Sequence, residues 1–259
     1  MRCLVFMSSH IYEPPYLPVI SVVYKVVGAA GSAVNVGGVV ISLLSDTRKM
    51  RAFSRFILNV QVSNTVSLVY ITILSCPFFV PSLGLTYNGI LTYKFDISPY
   101  TQTTFFVLTY CIVMCSYLST YMYLHQAVLS PFDRFKFSTK TLSIAIVSVY
   151  AFILGVFPAL YSFGKPDHSK LGAFLAARND SLDYQSNATN FGFYNVKLNR
   201  FIYLLIAIPS ATWIAIFLAI FAIIIHIMLT FKRMNPVVLQ ETSKVQLSWF
   251  RSFLLMVRI

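Results

Sequence analysis

Charge is what this sequence has least of: 11% of its 259 residues are Asp, Glu, Lys or Arg, and only eight are acidic. Soluble domains carry about 25% charged residues. The shortage excludes an ordinary soluble globule, because 57% of the residues are hydrophobic and the mean hydropathy is +0.72. Cysteine is scarce as well. Cys3, Cys76, Cys111 and Cys115 form no metal-ligand pattern, and the last two share one helix face by their i, i+4 spacing, as small buried packing residues do. Catalytic signatures are missing: no HExxH, no GxSxG and no phosphate-binding glycine loop occurs, and His10, His125, His168 and His226 are far apart in the sequence. These absences point away from an enzyme, a metal site or a bound cofactor.

What is present is a series of long apolar runs, each able to cross a hydrocarbon core of roughly 30 Å as helix. They predict an all-α, polytopic transmembrane bundle in a single domain. The spans lie at about 16–44, 56–83, 103–124, 142–163 and 201–231, with a sixth begun at 249–259. Eleven residues of helix rise about 16 Å, roughly half a bilayer. The first run holds Gly28, Gly31, Gly37 and Gly38, small residues that admit a close neighbour. Lys25 sits near its start, where the ammonium can snorkel to the interface. Pro77 and Pro81 are expected in the last turns of the second span, distorting it. Leu4 to Met7 is too short an apolar stretch for a secretory signal core, so the first span is expected to serve as its own insertion signal.

A net charge of +12 would point to nucleic acid in a soluble protein. Here the basic residues fall in short connectors, which leaves no nucleic-acid partner and makes the lipid bilayer the surrounding medium. Alternate connectors on one side hold Arg48, Lys49, Arg51, Arg55, Arg134, Lys136, Lys140, Lys232, Arg233, Lys244 and Arg251, opposed only by Asp46, Asp133 and Glu241. The other side has fewer basic residues and more acidic ones. The positive-inside tendency makes the first side cytoplasmic, the amino terminus extracellular and the long connector from Gly164 to Arg200 extracellular. That connector carries two glycosylation sequons, at Asn179 and Asn187.

Spans two to five contain no Asp, Glu, Lys or Arg, which weighs against ion-coupled transport. Their aromatic and hydroxyl side chains suit a cavity for an apolar or weakly polar small molecule. Ligand contacts are expected from spans two, three and five, mainly their outer halves, and Tyr110, Tyr117 and Trp213 are the candidates. Bundle packing and interfacial anchoring are the alternative reading for these three and for Tyr121 and Tyr123.

Several separated features then follow one another: Asn35 after small residues in the first span, a basic loop running into Leu58 to Gln61, the stretch Cys76 to Pro81, Gly84 with Gly89, His125-Gln126 closing the third span, and Thr242 to Gln246 leading to the sixth. In order and spacing they resemble the nematode serpentine chemoreceptors of the Str superfamily, class i most and class h next, over about Leu17 to Ile259. The resemblance implies a rhodopsin-like seven-helix receptor in the plasma membrane of a sensory neuron. It implies an odorant-like small-molecule ligand and a heterotrimeric G protein engaged by the inner face, for which Arg48, Arg51, His125, Gln126, Arg134 and Lys232 are the candidates. An ordinary interfacial histidine and a solvated basic loop remain the alternative for His125, Gln126 and Arg134. It also implies a completed sixth helix, a seventh and a cytoplasmic tail, so this chain reads as truncated in helix six. No cysteine lies between Gly164 and Arg200 to tie that connector to the third helix. A transporter or channel subunit, or a truncated product without function, are the rival readings.

Overall fold

The computed structural model describes residues 17–44, 51–80, 84–129, 133–164, 191–193 and 199–233. Five long helices carry the chain: α1 (Leu17–Leu44), α2 (Arg51–Val69, prolonged by a π-helical turn, Tyr70–Ser75), α4 (Pro99–Val128), α5 (Thr139–Phe163) and α6 (Ile202–Arg233). All five are long and apolar enough to cross a membrane. Between α2 and α4 lie β1 (Pro77–Val80), β2 (Gly84–Tyr87) and the short α3 (Ile90–Phe95), and β3 (Phe191–Phe193) precedes α6. The partial sixth span at 249–259 lies outside the described residues.

α4 is the most buried helix and packs against α2, α5 and α6, while α1 packs on α2. The core joins Val107, Cys111, Cys115 and Leu118 of α4 to Ile153 and Phe157 of α5 and Ile216 of α6. Cys111 and Cys115 are thus buried packing residues, 0% and 1% exposed. Outward faces are apolar: Val22, Val26, Ile144, Val147, Phe217 and Phe221 are all exposed, as a helix bathed in lipid requires.

The helix boundaries follow local chemistry. Ser98 caps α4 by accepting the Thr101 N–H at 3.3 Å, and Pro99 occupies the first turn, where its missing N–H costs nothing. Ser138 caps α5 in the same way through Thr141 N at 3.1 Å. Asn199 joins two ends, donating to the Phe163 carbonyl at 3.0 Å while accepting the Phe201 N–H at 2.9 Å.

The second span ends earlier than its hydropathy predicts. The sequence places Pro77 and Pro81 inside a helix reaching Leu83, whereas the helix stops at Ser75 and Pro77 opens β1. Proline disfavours helical backbone in the residue before it and lacks the N–H that would continue the ladder. Cys76 accordingly turns into the left-handed region, φ 44°, and closes the π turn by donating its N–H to Ile71 O at 2.9 Å. β1 and β2 then form an antiparallel hairpin with Pro77 opposite Tyr87 and Val80 opposite Gly84. β3 adds to β2, Leu85 facing Gly192, so a three-stranded sheet lies at one end of the helical bundle among the described residues.

α1 meets α2 through one stripe of glycines. A Cβ on Gly28 would stand 2.2 Å from Thr72 Oγ1, one on Gly31 2.5 Å from Leu68 Cδ2 and one on Gly38 2.3 Å from Gln61 Nε2, but one on Gly37 would touch nothing within 4 Å. The spacing of 28, 31 and 38 keeps three of the four glycines on one helix face.

Candidate functional site

At the end of the bundle away from the basic connectors, Gln102 organises a polar cap. Its side chain is fully buried and donates to Thr92 Oγ1 at 2.9 Å and Ile97 O at 2.7 Å, while its Oε1 accepts Ser75 Oγ at 3.3 Å. The Tyr70 hydroxyl donates to the Gln102 carbonyl at 2.8 Å. Beside it Tyr87, 0% exposed, shares a 2.6 Å bond with Thr103 Oγ1, and burial pushes its phenol well above the ordinary tyrosine range. This cap, with the β2 to β3 pairing, anchors part of the long connector without the cysteine it lacks.

A second layer of hydrogen bonds ties three helices near mid-depth. Ser116 of α4 meets Ser63 of α2 at 2.9 Å and the Tyr150 hydroxyl of α5 at 3.0 Å, and Asn59 of α2 donates to Tyr150 at 3.2 Å. Asn64 Nδ2 donates to the Tyr117 hydroxyl at 3.0 Å. In hydrocarbon such ties act as glue, each stabilising by about 0.6 to 2 kcal/mol.

Next to these ties, α1, α2 and α4 line a half-open cavity of about 310 Å³ formed by Asn35, Asn64, Ser67, Leu68, Ile71, Tyr110 and Val113. No charged side chain lines it. Three of its polar residues retain hydrogen-bonding capacity: Asn64 spends an amide hydrogen on Tyr117 and keeps its oxygen, while Asn35 and Ser67 spend no side-chain bond on any described residue. Tyr110 also packs on Trp213 of α6, ring centroids 5.6 Å apart, and the Trp213 indole N–H is buried. Of the predicted ligand contacts, then, Tyr110 lines the cavity, Tyr117 orients Asn64 beside it and Trp213 backs Tyr110 from behind. A larger groove of about 480 Å³ between α4, α5 and α6 is open and nearly all apolar. Its Thr212 hydroxyl is spent on Ile208 O at 2.8 Å, leaving Ser148 as its other hydroxyl, so it suits lipid chains better than a selective ligand.

At the basic end two of the predicted coupling residues, His125 and Gln126, are in contact with each other. His125 Nε2 lies 2.9 Å from His226 Nδ1 of α6, so two histidines 101 positions apart are in contact, contrary to their scatter in the sequence. Gln126, 7% exposed, accepts the Phe137 N–H at 2.7 Å on its Oε1 and donates from Nε2 to Phe135 O at 3.0 Å and to His125 Nδ1 at 3.2 Å. Lys136 donates to the carbonyls of Gln126 and Leu129, placing a cation on the negative end of α4. Asp133 Oδ1 accepts the Phe135 N–H at 2.9 Å, and the Arg134 guanidinium lies over the Phe135 ring, 4.8 Å from its centroid. Arg134 is otherwise exposed, as a solvated loop residue is. Arg51 and Lys232 fall in the end turns of α2 and α6, where only the backbone is described; Arg48, Asn179 and Asn187 lie outside the described residues.

Sequence reasoning missed Gln102, His226, Asn64 and Tyr150. Asn59, Ser63 and Ser67 recur every four residues, one face of α2, and that signal was available; Gln102 is one of several polar residues in Ser98 to Thr104 and His226 is a lone polar residue in an apolar run, and neither stands out by pattern.

The geometry defines a multi-pass membrane bundle built around α4, with a ligand-sized uncharged cavity and a bonded connector at its basic end. The family model described as serpentine type 7TM GPCR chemoreceptor Sri matches residues 12–256. The chain belongs to that family, which is one of receptors and not of enzymes. Comparison with curated proteins and with solved structures gives no match.

Proposed function

We propose that this chain is a G-protein-coupled chemosensory receptor of the plasma membrane, of the nematode Str superfamily type, whose ligand enters the cavity between α1, α2 and α4. The observation that carries the ligand assignment is that cavity's chemistry. Asn35, the Asn64 oxygen, Ser67 and Tyr110 offer neutral donors and acceptors, with Leu68, Ile71 and Val113 supplying apolar wall. An ionised ligand would be desolvated there without a counter-charge, at a cost of several kcal/mol. The preferred ligand is a small neutral molecule with one hydrogen-bonding head and a short hydrocarbon body.

The basic end faces the cytoplasm in this reading, and Arg48, Arg51, His125, Gln126, Arg134 and Lys232 belong to the surface that engages a heterotrimeric G protein. The opposite end, with its sheet and the long connector, faces outside, where Asn179 and Asn187 accept glycans. The charge asymmetry of the connectors and the position of both sequons in the acidic-side connector support that orientation.

The test is a panel of neutral C5 to C8 alcohols and ketones applied to cells expressing the chain with a G-protein dissociation reporter. An active compound should lose potency at least tenfold in Ser67→Leu and in Val113→Trp, with surface expression unchanged. Potency unchanged in both variants places the ligand elsewhere; activity confined to charged compounds overturns the cavity's chemistry.

A further inference from the structure

The connector between α4 and α5 has its backbone tied down and its outer side chains unspent. Asp133 Oδ1 and Gln126 Oε1 accept the Phe135 and Phe137 N–H groups, Gln126 Nε2 donates to Phe135 O, and the Lys136 N–H donates to Asp133 O at 2.9 Å. Ser138 then caps α5. Lys136 turns its ammonium onto the last carbonyls of α4. What faces outward is apolar and cationic: Phe135 and Phe137 are 42% and 49% exposed, and Arg134 and Lys140 are exposed with them.

Depth decides what these side chains meet. α4 is 30 residues long and so rises about 45 Å, the thickness of a bilayer with both headgroup layers. The connector that leaves its last turn therefore lies among headgroups, where the two phenylalanine rings reach the acyl boundary, as they do on interfacial helices. Arg134 is held on a platform: its guanidinium lies 4.8 Å from the Phe135 centroid, and that ring meets His226 edge-on at 5.5 Å. A planar guanidinium presented in this way matches a phosphate group. Asp133 is the one acidic residue of this end among the described residues, and its Oδ1 already accepts the Phe135 N–H. Arg55, exposed on the neighbouring α2, adds a further cation to the same end.

We propose that the 133–140 segment is a docking surface for anionic phospholipid, with Arg134 and Lys140 holding the headgroup and Phe135 and Phe137 set into the acyl boundary beside it. The bilayer reaches this surface from the side, and the connector is already ordered, so little conformational entropy opposes binding. At about fivefold per basic residue, the pair favours an anionic over a zwitterionic lipid by roughly 25-fold at most, and salt lowers that figure. The surface needs neither the cavity's ligand nor a G protein, so it stands or falls apart from the receptor reading.

The experiment uses the full chain carrying Phe137→Trp in phosphatidylcholine nanodiscs that contain a minor fraction of brominated phosphatidylserine or brominated phosphatidylcholine. Bromine quenches an indole it touches, and the chain without Phe137→Trp supplies the background from Trp213 and Trp249. The expected result is that phosphatidylserine competes for the place beside position 137 at least about fivefold better than phosphatidylcholine. The preference should fall to near equality in Arg134→Gln/Lys140→Gln, with quenching by brominated phosphatidylcholine unchanged as the sign that fold and depth are kept. Added salt should shrink it in the Phe137→Trp chain as well, so the outcome does not hang on the double variant. Lys94→Gln, at the far end of the bundle, should leave it intact. Equal competition by the two lipids overturns the inference, as does a preference that survives the double variant, ignores salt or disappears in Lys94→Gln. Displacement of phosphatidylserine by inorganic phosphate at matched ionic strength overturns it too, and makes the surface a site for a free anion.

Discussion

Adding a single methyl group to α1 tests the packing on which the whole bundle rests. Gly28→Ala would put its Cβ 2.2 Å from Thr72 Oγ1, 2.6 Å from Thr72 Cβ and 2.9 Å from Cγ2. Thr72 cannot swing aside: it is 2% exposed, β-branched, and bonded through its hydroxyl to Leu68 O at 2.7 Å. The helices must separate, and overpacking of this kind costs about 1 to 3 kcal/mol. Gly37→Ala meets nothing within 4 Å, and its helix propensity improves by up to about 1 kcal/mol. Taking about 2 kcal/mol for Gly28→Ala and 2 to 4 °C per kcal/mol, detergent-solubilised protein should melt about 4 to 8 °C lower in that variant. In Gly37→Ala it should melt at the parent temperature or above. A thiol-dye or scattering melt reads both. Equal shifts in the two variants would refute the α1 to α2 register, since both add one methyl to the same apolar helix.

Three other expectations follow from the bonded layers. Gln102→Leu removes three buried side-chain hydrogen bonds, so at about 1 kcal/mol each it should destabilise by roughly 3 kcal/mol, whereas Gln102→Glu should recover only part of it, because a carboxylate accepts from the Ser75 and Thr92 hydroxyls but cannot donate to Ile97 O; chemical denaturation in detergent measures both. Tyr150→Phe deletes the hydroxyl joining Asn59 to Ser116 and should cost about 1 kcal/mol, with Asn59→Leu adding little on top in a double-mutant cycle because the two changes break the same bond. Burial holds the Cys76 thiol above the ordinary range, with Lys25 pulling weakly the other way, so it stays protonated at neutral pH. Its iodoacetamide reaction, followed on the peptide by mass spectrometry, should remain slow at pH 8 and rise only above the pH at which a free cysteine already reacts; alkylation at the rate of a solvent-exposed thiol would contradict the buried placement.

The five spans were legible because length and apolarity alone decide which segments cross a bilayer, and the i, i+4 pair Cys111 and Cys115 showed its buried face directly. The end of α2 was misread because Pro77 follows an uninterrupted apolar run, and hydropathy does not distinguish a helix from the strand that succeeds it. The sheet was invisible for the same reason: Phe78, Phe79 and Val80 are as apolar as any lipid-facing turn. Tyr110 came out of its aromatic and hydroxyl setting and does line the cavity, but its neighbours Asn64 and Ser67 required the packing of α2 on α4 to be known. The pairing of His125 with His226 spans 101 positions and two helices with no local pattern, so it depended on tertiary structure altogether. The seven-helix family, by contrast, was readable from short motifs in a fixed order, and the family match over residues 12–256 agrees with it.

The most direct measurement of the central claim compares the response to one active compound in cells with and without functional heterotrimeric G proteins, at matched surface expression of the chain. A receptor predicts a second-messenger response that disappears when the G proteins are removed and returns when they are restored. A ligand-evoked current of undiminished size in the cells lacking them would contradict the account and make the bundle a conduit.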